Sequence, residues 1–246
     1  MGLTLLHQLA IRGAHIIALS PVPIESPKID ILINLLRTTT NNEQIFADEC
    51  DLTSPNSVHD FCTKFLTGQE HRLDAIVFAH EYQHIGSFFS SQSTEALEKE
   101  RREASLATFL TTTLLLPALL VAPVERDIRI INVINPFYAA AVPTFSPSFD
   151  ALPSNSSRFL LEGRRALQMA VFTRHLQRVL DALPSGGQVP KTDDNASTVP
   201  VVSEKSQKSN IVAISVCPGI SRSDTIAPML NAGLSASDYS TKGTIM

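Results

Sequence analysis

Cysteine, positive charge and long uninterrupted apolar runs are all scarce in this sequence, and each scarcity removes a class of function. Lys and Arg number 20 against 24 acidic residues, for a net charge of −4. The concentrated basic footprint that a nucleic-acid binder needs is missing, so no nucleic-acid partner is expected. The thiols are confined to Cys50, Cys62 and Cys217, with no C-x-x-C pair. That is neither a disulfide framework nor a zinc cage, and it favours a reducing compartment. The longest greasy stretch, "FLTTTLLLPALLVAPV" (109–124), is broken by threonines and prolines and falls short of a bilayer span. It reads as a buried core helix. No secretory leader is apparent, so an intracellular, cytoplasmic location is expected; membrane attachment encoded upstream of Met1 stays compatible with these residues. No internal repeat appears.

What remains is an ordinary globular composition, 43% apolar and 18% charged over 246 residues, enough for one large α/β domain. Leu3, Leu5, Leu6, Leu9 and Ala10 recur at helical spacing and stop at Arg12-Gly13, a helix C-cap signal. Short apolar strands are expected at 14–19, 43–52, 72–80, 127–136 and 211–220. Helical periodicity occupies 29–39, 54–68 (with a serine cap), 95–120 and 161–183 between them. The segment 184–210 has little to bury and reads as a flexible surface insert. Strands alternating with helices imply βαβ units: a single domain over 1–246, three-layered, with a doubly wound parallel sheet of Rossmann type.

"HEYQH" (80–84) matches the zinc-protease pattern H-E-x-x-H letter for letter. That chemistry requires His80 and His84 on one face of a helix, with Glu81 activating the metal-bound water. Here His80 ends a buried strand and Gly86 soon follows, so the segment is a strand-to-helix loop. The two histidines do not share a helical face, and no metal site is expected.

In a doubly wound sheet, ligands bind outside the carboxyl ends of the strands. The ordered segments "GLTLLHQLAIRGAHIIAL", "CDLTSPNSV", "RLDAIVFAHE", "TFLTTTLLLPAL", "RIINVINP", "RRALQMAVFTRHLQRVL" and "SVCPGISRSDT" span almost the whole chain. Together they resemble the short-chain dehydrogenase/reductase superfamily, and its fungal members in particular. The resemblance implies NAD or NADP as cofactor and oxidoreduction of a carbonyl or alcohol substrate. It places Gly2 as the last glycine of the family's phosphate-binding turn, so that the first strand and the other glycines would precede Met1; an N-terminally truncated chain is expected. It places Asp51, followed by Leu52, against the adenine amino group, Ser20 near the ribose-selecting position, and Ala79 in the turn after the third strand. Pro218-Gly219 match the proline-glycine turn beside the nicotinamide, with Ser221, Ser223 and Thr225 as hydroxyl donors.

The family's catalytic Asn, Ser, Tyr and Lys are not kept. Aligned positions carry Ala104, Asn135, Glu162 and Ala166; a one-residue shift would bring Arg165 to the lysine position and Leu161 to the tyrosine. Asn135, Tyr138 and Glu162 are the substitute candidates: a carbonyl hydrogen-bond donor, a proton donor, and a carboxylate whose burial would raise its pKa. Competing with these roles are packing for Tyr138, a solvated first helical turn for Glu162, and a backbone-bonded strand-end histidine at His80. A protein that keeps the fold and binds without catalysing is the alternative function. The helices 95–120 and 161–183, with the stripe Leu167, Val171, Leu176 and Leu180, are compatible with the family's homodimer.

Overall fold

A computed structural model of the chain describes residues 2–68, 72–83, 94–121, 126–145, 157–182, 210–220 and 226–227. It opens on helix α1 (Gly2–Ile11), which ends at Gly13 in the left-handed region (φ 75°), as its C-cap signal requires. Strand β1 (Ile16–Ser20) follows, then α2 (Pro27–Thr40) with proline in its first turn, and β2 (Ile45–Glu49). Helix α3 (Pro55–Thr67) is capped by Ser54, whose side chain accepts from the Ser57 N–H, and leads to β3 (Ala75–Phe78). Helix α4 (Thr94–Leu120) carries Pro117 within its last turn and precedes β4 (Ile128–Val133). The short α5 (Tyr138–Ala141), α6 (Arg158–Ala182) and β5 (Ile211–Val216) complete the described elements.

Every strand pair is parallel, with Ile16 beside Ile45, Ala75 beside Arg129, and Ile128 beside Ile211. The α/β class and the order of elements agree with the sequence reading. The strands are shorter than expected, because each ends where its ladder ends. Residues 80–83 form a single 3-10 turn rather than a plain loop, and α5 with a 3-10 turn at Val142–Thr144 occupies a segment that periodicity does not mark. The insert expected at 184–210 lies almost wholly outside the described residues.

A parallel sheet short of its first strand was expected; the described strands accordingly form two parallel sheets, β1-β2 and β3-β4-β5. No described strand joins β1 to β3. Both sheets still belong to one body, because Leu19 of β1 and Ile76 of β3 pack against the same cluster of Val58, Phe61, Cys62, Ala107 and Leu115 from α3 and α4. On the other face of the β1-β2 sheet, α1 and α2 bury Ala10, Ile29, Ile33 and Leu36 against Ile45. That is the three-layer arrangement. The β3-β4-β5 sheet is covered on one face by Leu119 of α4 and Leu180 of α6, which meet Phe78, Ile128, Ile130 and Ile211. Leu119, Ile128 and Ile130 are fully buried; each contributes about 1.5–3 kcal/mol on leaving water.

The apolar part of α4 is a core helix. Its residues 102–120 are long and apolar enough to cross a membrane by composition alone, but Ala104, Ala107, Thr108, Thr111, Thr112, Leu115 and Leu119 are buried inside the fold. Gly163 sets the approach of α6 to α5: a Cβ there would lie 2.2 Å from the Phe137 carbonyl oxygen. Backbone cannot yield as a flexible side chain would. Gly163→Ala is expected to destabilise the chain by about 1–3 kcal/mol, read as a lower urea midpoint at unchanged slope.

Candidate active site

Within each sheet the described strands are parallel, and the residues singled out from sequence lie just past strand carboxyl ends. Ser20 ends β1, Asp51 and Leu52 follow β2, Ala79 follows β3, Asn135 follows β4, and Pro218-Gly219 follow β5. Gly2 instead begins α1. Ser223, with Ser221 and Thr225, lies outside the described residues.

Asp51 folds its own turn, with Oδ1 accepting from the Thr53 N–H (2.9 Å) and hydroxyl (2.7 Å). Its other carboxylate oxygen accepts no hydrogen bond among the described residues and is placed to meet a donor such as an amino group. Ser20 is buried, and its hydroxyl is closed onto Val22, donating to the carbonyl and accepting from the N–H, each at 3.1 Å. It is a turn residue here, which leaves little for a ribose. Gly219 has φ 85°, where any side chain would be strained, so the chain turns sharply after Pro218. Of the cofactor positions the resemblance implies, Asp51 keeps one carboxylate oxygen without a hydrogen bond among the described residues and Gly219 makes a sharp turn, whereas Ser20 adds no discrimination between NAD and NADP.

Asn135 is buried, and its Oδ1 accepts from the Phe137 N–H at 3.1 Å, leaving the amide nitrogen as the group able to meet a carbonyl oxygen. Tyr138 packs beside Ile134, Ala166 and Met169, the packing role weighed for it. Glu162 is not a solvated first-turn residue. It is only 1% exposed, in the second turn of α6, and Arg165 Nη1 donates to its Oε2 at 3.4 Å. Arg165 also donates to Ser105 of α4 at 3.4 Å, so this hydrogen bond, from a buried ion pair within α6, links the two long helices.

His80 is buried, with Nε2 lying 3.3 Å from the Ala104 carbonyl oxygen and 3.1 Å from the Thr108 hydroxyl. Its ring nitrogen is spent on α4, the backbone-bonded role weighed for it; His84 lies outside the described residues. Among the described residues no group of three His, Cys, Asp or Glu is placed to hold a metal ion. Sequence reasoning passed over Tyr82, whose buried hydroxyl donates to the Gly219 carbonyl at 2.6 Å. That bond ties the turn after β3 to the turn after β5, across the end of β4. Tyr82 sits inside the zinc-like pentad, and nothing in its spacing marks a partner 137 residues away.

Comparison with solved structures fits these observations. A short-chain dehydrogenase of Sphingobium yanoikuyae in complex with NADPH superposes with a TM-score of 0.59 at 16% identity, over 90% of this chain and 67% of that one. A bulky-bulky ketone specific alcohol dehydrogenase of Comamonas testosteroni superposes with a TM-score of 0.57 at 15% identity, over 89% and 70%. The chain has the short-chain dehydrogenase/reductase fold. No family model matches it. By sequence it is 29% identical over 133 residues to an uncharacterized oxidoreductase, pbr1, of Schizosaccharomyces pombe; the match spans 53% of this chain and only 35% of that protein.

Within this fold the two buried thiols are inert structural groups. Burial, reinforced by Cys62, Asp51 and Asp48 nearby, pushes the Cys50 thiol up to about 11, and burial does the same to Cys62. Cys217 is exposed. At pH 8 a colorimetric thiol reagent should therefore titrate Cys217 rapidly, with Cys50 and Cys62 following only on unfolding, since the thiolate is the reactive form. Rapid reaction of all three would contradict this packing. Arg165→Met removes the guanidinium from beside the buried Glu162 carboxylate and should lower the unfolding free energy by about 1–3 kcal/mol, part of it recovered when Glu162→Gln is added.

Proposed function

We propose that this chain forms the cofactor- and substrate-binding platform of an NAD(P)-dependent oxidoreductase acting on a carbonyl or alcohol. The observation that carries the reading is the gathering of Asp51, Asn135 and the Gly219 turn at the carboxyl ends of parallel strands, within a short-chain dehydrogenase fold. The NADPH bound by the Sphingobium relative and the ketone specificity of the Comamonas relative support it.

In this reading the open oxygen of Asp51 accepts from the adenine amino group, and the turn at Gly219 lets the backbone approach the nicotinamide end. The nicotinamide, when bound, supplies or takes up the hydride. The Asn135 amide nitrogen donates to the substrate carbonyl oxygen and orients it. The proton is handled by Tyr138 or by the Glu162 carboxyl, whose orientation the Arg165 guanidinium sets. The exposed faces of α4 and α6 carry Leu106, Phe109 and Val171, with Phe109 edge-on to Phe172 at 5.8 Å. This patch is the surface we assign to a homodimer contact, whereas Leu180 of the expected stripe is spent on the sheet. The free state of all three cysteines accords with a reducing, intracellular setting.

A second reading, nucleotide binding without turnover, is favoured by one specific observation. Each substitute for the family's catalytic groups is already engaged in holding the fold together, with Asn135 in its turn, Tyr138 in packing, and Glu162 in the buried ion pair.

Titrating NADH and NADPH by fluorescence against the chain and against Asp51→Ala tests the common part of both readings. Binding should weaken about tenfold in the variant, roughly the 1.4 kcal/mol that one hydrogen bond to a charged group supplies. Carbonyl reduction by the unaltered chain that falls in Glu162→Gln or Tyr138→Phe, with binding retained, identifies the proton donor. Binding without turnover on any carbonyl substrate selects the second reading.

A further inference from the structure

We propose that Tyr82 is a positioning residue for the nicotinamide half of the cofactor: its hydroxyl holds the Gly219 turn in the shape that receives that half. The inference rests on the cofactor reading above and deepens it, since Tyr82 acts through Gly219 and is assigned no contact with cofactor or substrate.

The turn itself creates the need for such a residue. The ladder of β5 ends at Val216, whose carbonyl accepts from the Ile134 N–H at 2.9 Å. Pro218 has no N–H to offer a neighbour. Gly219 is left-handed, at φ 85°, with nothing within 4 Å of the place where a Cβ would stand. Glycine passes between left- and right-handed conformations at little cost, so no side chain of its own fixes this one. Cys217 and Ile220, on either side, are exposed. Among the described residues, the bond from the Tyr82 hydroxyl is the one hydrogen bond that reaches residues 217–220.

Tyr82 is built to supply that fixity. It is 1% exposed, and its 2.6 Å bond to the Gly219 carbonyl is at the short end for an O–H···O bond. It stands on the 3-10 turn His80–Gln83, one residue after β3. The same turn is pinned to the core by His80, whose Nε2 lies 3.3 Å from the Ala104 carbonyl oxygen and 3.1 Å from the Thr108 hydroxyl of α4. The His80 ring also stands edge-on to Phe78 of β3, with centroids 6.1 Å apart. Helix α4 thus reaches the Gly219 turn through two side chains of one short turn, and His80 and Tyr82 of "HEYQH" serve this anchor. The phenol proton is committed to a backbone carbonyl, so Tyr82 acts by geometry and not as a proton donor to substrate. A ligand that meets a preformed turn avoids the entropy of ordering it on association. Loss of the hydroxyl therefore weakens the half of the cofactor that meets Gly219. It spares the half that meets Asp51, which follows β2 in the other sheet.

The test compares NADH or NADPH with ADP-ribose or its phosphorylated form, which lack only the nicotinamide, on the full chain. In Tyr82→Phe, which keeps the buried ring, the reduced cofactor should bind about tenfold more weakly, and ADP-ribose within about twofold of its original affinity. Asp51→Ala should weaken both probes alike. Gly219→Ala, strained at φ 85°, should reproduce the selective loss, and combining it with Tyr82→Phe should add little, because both act on one turn. Without nucleotide, amide exchange by NMR at Gly219 and Ile220 should quicken about tenfold in Tyr82→Phe while the β4 amides keep their protection, which separates a loosened turn from a loosened fold. Equal loss of both probes in Tyr82→Phe, unchanged cofactor binding, unchanged exchange at Gly219 and Ile220, or full additivity with Gly219→Ala would overturn the proposal. ADP-ribose bound by the unaltered chain as tightly as the cofactor overturns this role and leaves the cofactor reading standing. Failure of the unaltered chain to bind either probe overturns the cofactor reading, and the positioning role with it.

Discussion

The hydrogen-bond ladder on both sides of β4 is the constraint on which this molecule depends. β4 is the only described strand with a neighbour on each side, and residues of alternating parity bind β3 and β5. With both edges satisfied in the interior, its buried side chains are Ile128, Ile130 and Val133, together with Asn132, which donates to the Thr173 hydroxyl. With β4 paired in this way, α4 and α6 are forced onto one face, where Leu119 and Leu180 meet the strand side chains. The Arg165 contacts to Glu162 and Ser105 are then a consequence of two helices crossing the same sheet at a set separation.

The same ladder accounts for the placement of the candidate site. Within β3-β4-β5 the parallel strands point their carboxyl ends one way, so Asn135 and the Gly219 turn come to one edge, while Asp51 follows β2 in the other sheet. The described side chains near these strand ends are turned to the framework. Tyr82 spans the edge through the Gly219 carbonyl, His80 is turned back onto α4, and Glu162 is drawn below it into an ion pair. Polar groups engaged in this way stabilise the framework, and chemistry at this edge would have to compete with those contacts.

The elements themselves were readable from the chain. Short stretches rich in apolar and β-branched residues marked the described strands, Gly13 marked the end of α1, and Ser54 with Pro55 marked the start of α3, because those signals are local backbone chemistry. α5 was not readable, since one turn of Tyr-Ala-Ala-Ala carries no period and is held by Gly163 of α6 pressing on the Phe137 carbonyl. The burial of Glu162 was hidden for a related reason. An acid three residues before an arginine describes an exposed helix face and a buried pair equally well, and only the position of α4 decides between them.

By itself, then, the sequence determined the α/β class, the order of the elements, the rejection of the H-E-x-x-H match at His80, and the positions of Asp51 and Pro218-Gly219 at strand ends. All of these follow from periodicity and turn chemistry acting over a few residues. The tertiary structure alone decided that Tyr82 reaches Gly219, that Glu162 is buried, and that Gln177 and Arg37 cap the outer edges of β5 and β2. Those outcomes depend on which backbone and side-chain groups find each other across long stretches of chain, and such pairings leave no periodic mark in the sequence.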